Sequence, residues 1–133
     1  MATVGDITTR AAKHLGIWPS EAAPSGPEQL DILAEYNTLM HELASDFSLV
    51  KTDGTAYPTH TTQATTNVFP LADRFVNGMA AMIAARSHAY LGAGDALRPE
   101  TAAAAARGYG RICGAFQKKV VQDAGLLQRE RYA

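Results

Sequence analysis

Proline and glycine punctuate this chain so strictly that only four stretches are left to carry regular structure. Gly16 closes the first, and the run Ile17-Trp18-Pro19-Ser20 to Ala23-Pro24-Ser25-Gly26-Pro27 cannot continue a helix. Pro70 and the Arg98-Pro99-Glu100 phrase open the last two, and Gly92-Ala93-Gly94 separates them. Inside the stretches the apolar residues recur at three and four positions, which is the period of an amphipathic helix. Alanine is the commonest residue and includes the run Ala102 to Ala106, which favours helix over sheet. The fold class predicted is all-α, a four-helix bundle-like domain.

The first helix is predicted from Thr3 or Asp6 to Leu15, with Asp6 as N-cap or first-turn acid and Gly16 beyond its last turn. Val4, Ile7, Ala11, Ala12 and Leu15 form its stripe. Trp18 beside Pro19 reads as a staple between helices. The second helix starts at Pro27, capped by Ser25, with Leu30, Leu33, Asn37, Met40, Leu43 and Phe47 inward. Its other face is acidic, carrying Glu28, Asp31, Glu35, Glu42 and Asp46. The third helix runs from Pro70 to Leu91 on Leu71, Phe75, Met79, Met82, Ile83 and Tyr90. The fourth runs from Arg98 to Val121 on Ala102, Ala105, Tyr109, Ile112, Cys113, Phe116 and Val120.

Between the second and third helices, residues 48–69 break the helical period. This segment is rich in threonine and contains Asp53-Gly54, a turn signal, so it is expected to form an extended arm or short hairpin that projects from the helices. Residues 125–133, which include Leu126, Leu127, Arg129, Arg131 and Tyr132, read as a short basic tail in extended form. The organisation expected is therefore a helical domain over 1–124 and a C-terminal docking tail.

At 133 residues the chain is long enough to bury a core without covalent staples. The lone Cys113 excludes an internal disulfide and any zinc site built on several cysteines. No stretch approaches the ~18 apolar residues of a membrane span, and Met1 to Ser20 lack a signal-peptide core, so a reducing, cytosol-like compartment is expected. The net charge of −1 hides a split. Residues 1–96 hold five Lys/Arg against ten Asp/Glu, and residues 97–133 hold seven against three. Two surfaces of opposite sign can meet between copies of one chain.

No catalytic constellation emerges. His14, His41, His60 and His88 show no pair at the i, i+4 spacing of a helical metal clamp. Cys113 falls on the expected core stripe with no base assigned to it. Gly108-Tyr109-Gly110-Arg111-Ile112-Cys113-Gly114 lacks the preceding strand of a phosphate loop, so its glycines are read as places of close helix or subunit approach. Arg107, Arg111 and Lys118 recur on one side of the fourth helix. They suit either a protein–protein contact or phosphates of nucleic acid, so a small helical DNA-binding or regulatory protein is the alternative reading. No enzyme activity and no cofactor are expected.

The order of these features resembles the head-to-tail adaptor (head-completion) proteins of tailed bacteriophages. Their first helix ends in an A-x-x-x-L-G-[IV] phrase, here Ala11 to Ile17. A turn and an L-N-x-[ML]-like phrase follow, matched by Glu35-Tyr36-Asn37-Thr38-Leu39-Met40. Then comes an arm with an apolar-Pro entry, Val68-Phe69-Pro70-Leu71, and two alanine-rich helices. Many relatives have a tryptophan where this chain has Ser45-Asp46-Phe47.

The resemblance implies a homo-oligomeric ring, usually of twelve copies, beneath the portal protein of a virion. Such a ring extends the channel for genomic DNA and offers a platform to a tail, stopper or nozzle protein. It is assembled in the host cytoplasm, without a membrane. On this reading Glu35 and Glu42 of one copy face Arg107, Arg111 and Lys118 of the next. Tyr57 and Thr61 of the arm, with Leu126, Leu127, Arg129, Arg131 and Tyr132 of the tail, would dock on portal or tail components.

Overall fold

The first helix, α1 (Val4–Leu15), opens on a reciprocal cap. The Thr3 N–H donates to Asp6 Oδ2 at 2.9 Å, and the Asp6 N–H donates to Thr3 Oγ1 at 3.2 Å. Thr3 is thus the N-cap and Asp6 the first-turn acid of a capping box. The computed structural model describes residues 2–15, 26–91 and 97–119. The elements after α1 are α2 (Gly26–Asp46), a hairpin of β1 (Leu49–Val50) and β2 (Ala56–Tyr57), a 3-10 turn (Asp73–Phe75), α3 (Val76–Leu91) and α4 (Pro99–Ala115). The protein is all-α, with this two-stranded hairpin as its one sheet among the described residues. Trp18, the Ser25 cap, Gly92 to Gly94 and the tail 125–133 lie outside the described residues.

α3 is the central element, and α1, α2 and α4 all pack on it. Ala80, Ala81, Met82, Ile83 and Ala84 are every one buried, so α3 has no solvent stripe over that span. Val4, Ile7, Ala11 and Ala12 of α1 and Ile32, Tyr36, Met40 and Leu43 of α2, with Phe47 just beyond it, complete the core.

α3 and α4 meet backbone to backbone. A Cβ placed on Gly78 would lie 2.6 Å from the Cα of Gly108, and one on Gly108 would lie 2.5 Å from the Cα of Gly78. Only two glycines permit that approach. The close-approach reading of Gly108 therefore holds, whereas Gly110 and Gly114 face open space.

The helix phases differ from the sequence pattern at several positions. On α2, Leu30 is 67% exposed, and Ile32 and Tyr36 turn inward instead. On α4 the buried residues are Thr101, Gly108 and Ile112, while Tyr109 and Cys113 are exposed. Cys113 is thus not a core hydrophobe. The Gly108 contact turns the helix by about one residue from the phase that its larger side chains suggest.

Two helix boundaries also move. Pro70 does not begin α3. Its carbonyl accepts the Thr52 N–H at 3.2 Å, Leu71 inserts into the core, and Ala72 is extended before the 3-10 turn. α4 stops at Ala115, because Phe116 adopts extended angles (φ −125°, ψ 143°) and lays its ring against Phe75, 5.4 Å between centroids. The chain then runs antiparallel to the end of α2. Ser48 N–H donates to Gln117 O at 2.7 Å, Lys119 N–H donates to Asp46 O at 2.8 Å, and Lys118 pairs with Phe47. Lys118 therefore stands off the helix that carries Arg107 and Arg111.

The arm is a hairpin and a strap. β1 and β2 pair antiparallel around the Asp53-Gly54 turn, where Gly54 takes φ 87°. The tip, Lys51 to Ala56, is exposed. From Pro58 onward the segment does not project. It lies along α1 and α2, with Val4 N–H donating to Asn67 O, Gly5 N–H to Thr65 O and Phe69 N–H to Ala2 O.

Candidate functional site

The strap is held to α2 by a buried polar network centred on Asn37. Its Nδ2 donates to Leu33 O at 3.2 Å and to Gln63 O at 3.1 Å. Its Oδ1 accepts the Gln63 N–H at 2.9 Å and faces His60 Nε2 at 2.8 Å. Because both Nδ2 protons go to carbonyls, the amide orientation is fixed and His60 carries its proton on Nε2. His60 Nδ1 then accepts the Tyr57 hydroxyl proton at 2.7 Å. The Tyr36 hydroxyl donates to Gln63 Oε1 at 2.5 Å. Burial, with the His41 ring 4.8 Å away, brings His60 down to about 4. His60 is thus a neutral structural histidine at physiological pH.

Concave regions lie on the surface formed by the described residues. Leu39, Leu43, Met82 and Ala105 floor a groove of 430 Å³ between α2 and α4, rimmed by Glu42, Asp46, Arg86 and Tyr109. Arg74, Phe75, Arg111, Gly114 and Ala115 line a cleft of 500 Å³ at the end of α4, where the Arg74 guanidinium stacks over Phe75 at 4.8 Å. Arg10, Lys13, His14, Asn77 and Arg98 line a third, of 290 Å³.

The ring residues expected from the sequence fall in two states. Glu35 and Glu42 are joined to Arg86 of their own chain, at 3.0 and 2.5 Å. Glu42 keeps 52% of its side chain open, and Glu35 only 21%. Arg107 and Arg111 are exposed, one turn apart on α4. Tyr57 is half-buried and tied to His60, so it anchors the strap, while Thr61 is exposed beside it. Leu126, Leu127, Arg129, Arg131 and Tyr132 lie outside the described residues.

Among the described residues no group of three or more His, Cys, Asp or Glu is placed to hold a metal ion. No described helix is long and apolar enough to cross a membrane. No protein-family model, curated protein or solved structure matches this chain.

Sequence reasoning missed the Asn37 network and the third, basic cavity. Asn37 on an apolar stripe was a signal for the first, since a buried amide needs partners. Arg10, Lys13 and His14 share one side of α1, but nothing along the chain brings Arg98 to them.

Proposed function

We propose that this protein is a structural adaptor of a tailed bacteriophage particle, a ring-forming component between portal and tail. The observation that carries this reading is the order of elements: two helices, a hairpin arm with a returning strap, and two alanine-rich helices. That order is the one on which the resemblance to head-to-tail adaptors rests. The proposal places the protein in the virion, with portal, neighbouring copies and a tail, stopper or nozzle protein as partners and genomic DNA in the channel.

Exposed Arg107 and Arg111 supply the basic side of the contact between copies. On the acidic side Glu42 contributes more than Glu35, because both pair with Arg86 but Glu35 is the more buried of the two. The exposed hairpin tip and the tail 125–133 are the docking elements.

The test is electron microscopy of particles assembled without this protein. Filled heads lacking tails are expected, and complementation with the R107E/R111E double variant should leave most heads untailed while the purified variant keeps its helical circular dichroism. Normal tailed particles in the absence of the protein would overturn the reading.

A further inference from the structure

The cavity between α1 and α4 has a lining whose ionisable side chains are all basic: Arg10, Lys13 and His14 from α1 and Arg98 from the N-cap of α4. Asn77 of α3 completes it. By sequence α1 belongs to the acidic part of the chain, so the fold creates a charge cluster that the linear split conceals. Among the described residues none of the four is ion-paired, since the ion pairs there both use Arg86. Arg10 donates to the neutral Asn77 Oδ1, which positions the guanidinium without cancelling its charge. Among the described residues the nearest acids in sequence are Asp6, which serves the α1 cap and also interacts electrostatically with Arg10, and Glu100, which stands exposed in the first turn of α4.

The positive field registers on His14. Burial and the Arg98 charge both lower its proton affinity. Pro99 at the first position of α4 and the absence of a side-chain cap on Arg98 leave the positive end of that helix dipole at the same place. A basic cluster of this kind, with no ion pair of its own among the described residues, attracts an anion, and two guanidiniums favour one with several acceptor oxygens.

We propose that this cavity binds a phosphate group of the kind carried along a nucleic-acid backbone. Size and lining favour the group over a whole nucleotide. At 290 Å³ the cavity falls just below the ~300–1,000 Å³ of small-molecule clefts, and it offers no aromatic ring other than the His14 imidazole on which a base could stack. Contact is therefore independent of base sequence, and a single site is weak. The inference stands apart from the adaptor reading, since it concerns the isolated chain.

The experiment is fluorescence anisotropy of a labelled DNA duplex with the full chain, repeated across salt concentrations. The K13E/R98E double variant should flatten the log–log salt slope by about two, at roughly one phosphate contact per charge. R74E/K119E, at two basic residues outside this cavity, changes net charge equally and should retain the wild-type slope within about half of that difference. K13Q/R98Q, which adds no negative charge, should flatten the slope in the same direction as K13E/R98E. Circular dichroism checks that each variant is folded.

A second arm adds inorganic phosphate alone and follows the His14 ring by NMR. Its proton affinity should rise as phosphate binds, and less so in K13Q/R98Q. Movement of His14 with phosphate but no salt-dependent duplex binding would assign the site to a small phosphate-bearing ligand, still within the proposed chemistry. Equal slopes for K13E/R98E and R74E/K119E, with His14 unmoved by phosphate, would overturn the proposal. Loss of tails in particles is a separate readout, so either reading can fail alone.

Discussion

Asn37 uses every hydrogen-bonding position of its amide, and that completeness decides how the strap behaves as pH changes. His60 sits between Asn37 Oδ1 and the Tyr57 hydroxyl, buried to 6% exposure, with His41 edge-on. A proton on Nδ1 would place a donor against the proton of Tyr57 and a charge in a site without a carboxylate partner. The folded protein therefore binds that proton only near pH 4, whereas the unfolded chain binds it from the ordinary 6.5. The unfolded state holds more protons between these values, so stability is complete above about 6.5 and falls as pH drops toward 4. His14, also lowered, adds to the fall in the same direction.

Asp6 and Asp53 act in a separate, lower window. The Thr3 N–H holds the Asp6 carboxyl down, and the Thr55 hydroxyl and N–H hold Asp53 down, so their contributions are lost below the ordinary 3.8. The urea midpoint should thus decline between pH 7 and 4.5, with most of that decline removed in H60Q. NMR should find His60 in the wild-type protein neutral, with its proton on Nε2, until pH nears 4. An unchanged decline in H60Q, or a His60 titrating near 6.5, would contradict this account.

At the scale of elements, the number of helices was legible because their ends carry local chemistry. Thr3 with Asp6, Pro99 at the start of α4 and the Asp53-Gly54 turn each act within a few residues. Helix phase was legible where side chains contrast, as on α1, and illegible where they do not. The run Ala102 to Ala106 offers no contrast, so the large residues Tyr109 and Cys113 set an inward phase that the structure does not adopt. What turns α4 is the Gly78–Gly108 contact, and a residue without a side chain leaves no mark in a hydrophobic pattern. The strap was hidden for a similar reason: its anchors are backbone carbonyls and the amides of Asn37 and Gln63, which read as loop polarity.

The glycine contact makes a graded prediction. A methyl group at Gly78 or Gly108 meets the facing backbone at 2.6 or 2.5 Å, so the helices must separate. G78A and G108A should each cost about 1–3 kcal/mol in urea unfolding. Gly110 lies on the same helix with nothing within 4 Å of an added Cβ. G110A should therefore stabilise by roughly 0.5–1 kcal/mol, the ordinary gain of alanine over glycine inside a helix. Equal responses at Gly108 and Gly110 would show that helix propensity, not the close approach, governs the α3–α4 interface.

At the scale of the molecule, two seams fasten distant segments to the helices. One joins residues 2–5 to the strap, through Val4 to Asn67, Gly5 to Thr65 and Ala2 to Phe69. The other joins the end of α2 to residues 117–119, through Ser48 to Gln117 and Asp46 to Lys119, and the Lys119 ammonium adds a bond to Pro58 O at 2.8 Å. Neither seam is continuous with the regular hydrogen-bonding of α3, which lies beneath them. Segments that share bonds open together, while amides in a buried helix exchange only when the whole structure opens. Native-state hydrogen exchange should thus give three levels. The amides of Ala80 to Ala84 are slowest. Val4, Gly5 and Phe69 form one intermediate group, and Ser48 and Lys119 form another. The exposed Asp53 at the hairpin tip exchanges fastest. K119A removes the bond to Pro58 and should lower protection at Ser48 and Lys119 by several-fold while Val4 and Phe69 keep theirs. A uniform loss at all four amides would mean that the two seams belong to one cooperative unit, closed by α3 rather than by their own bonds.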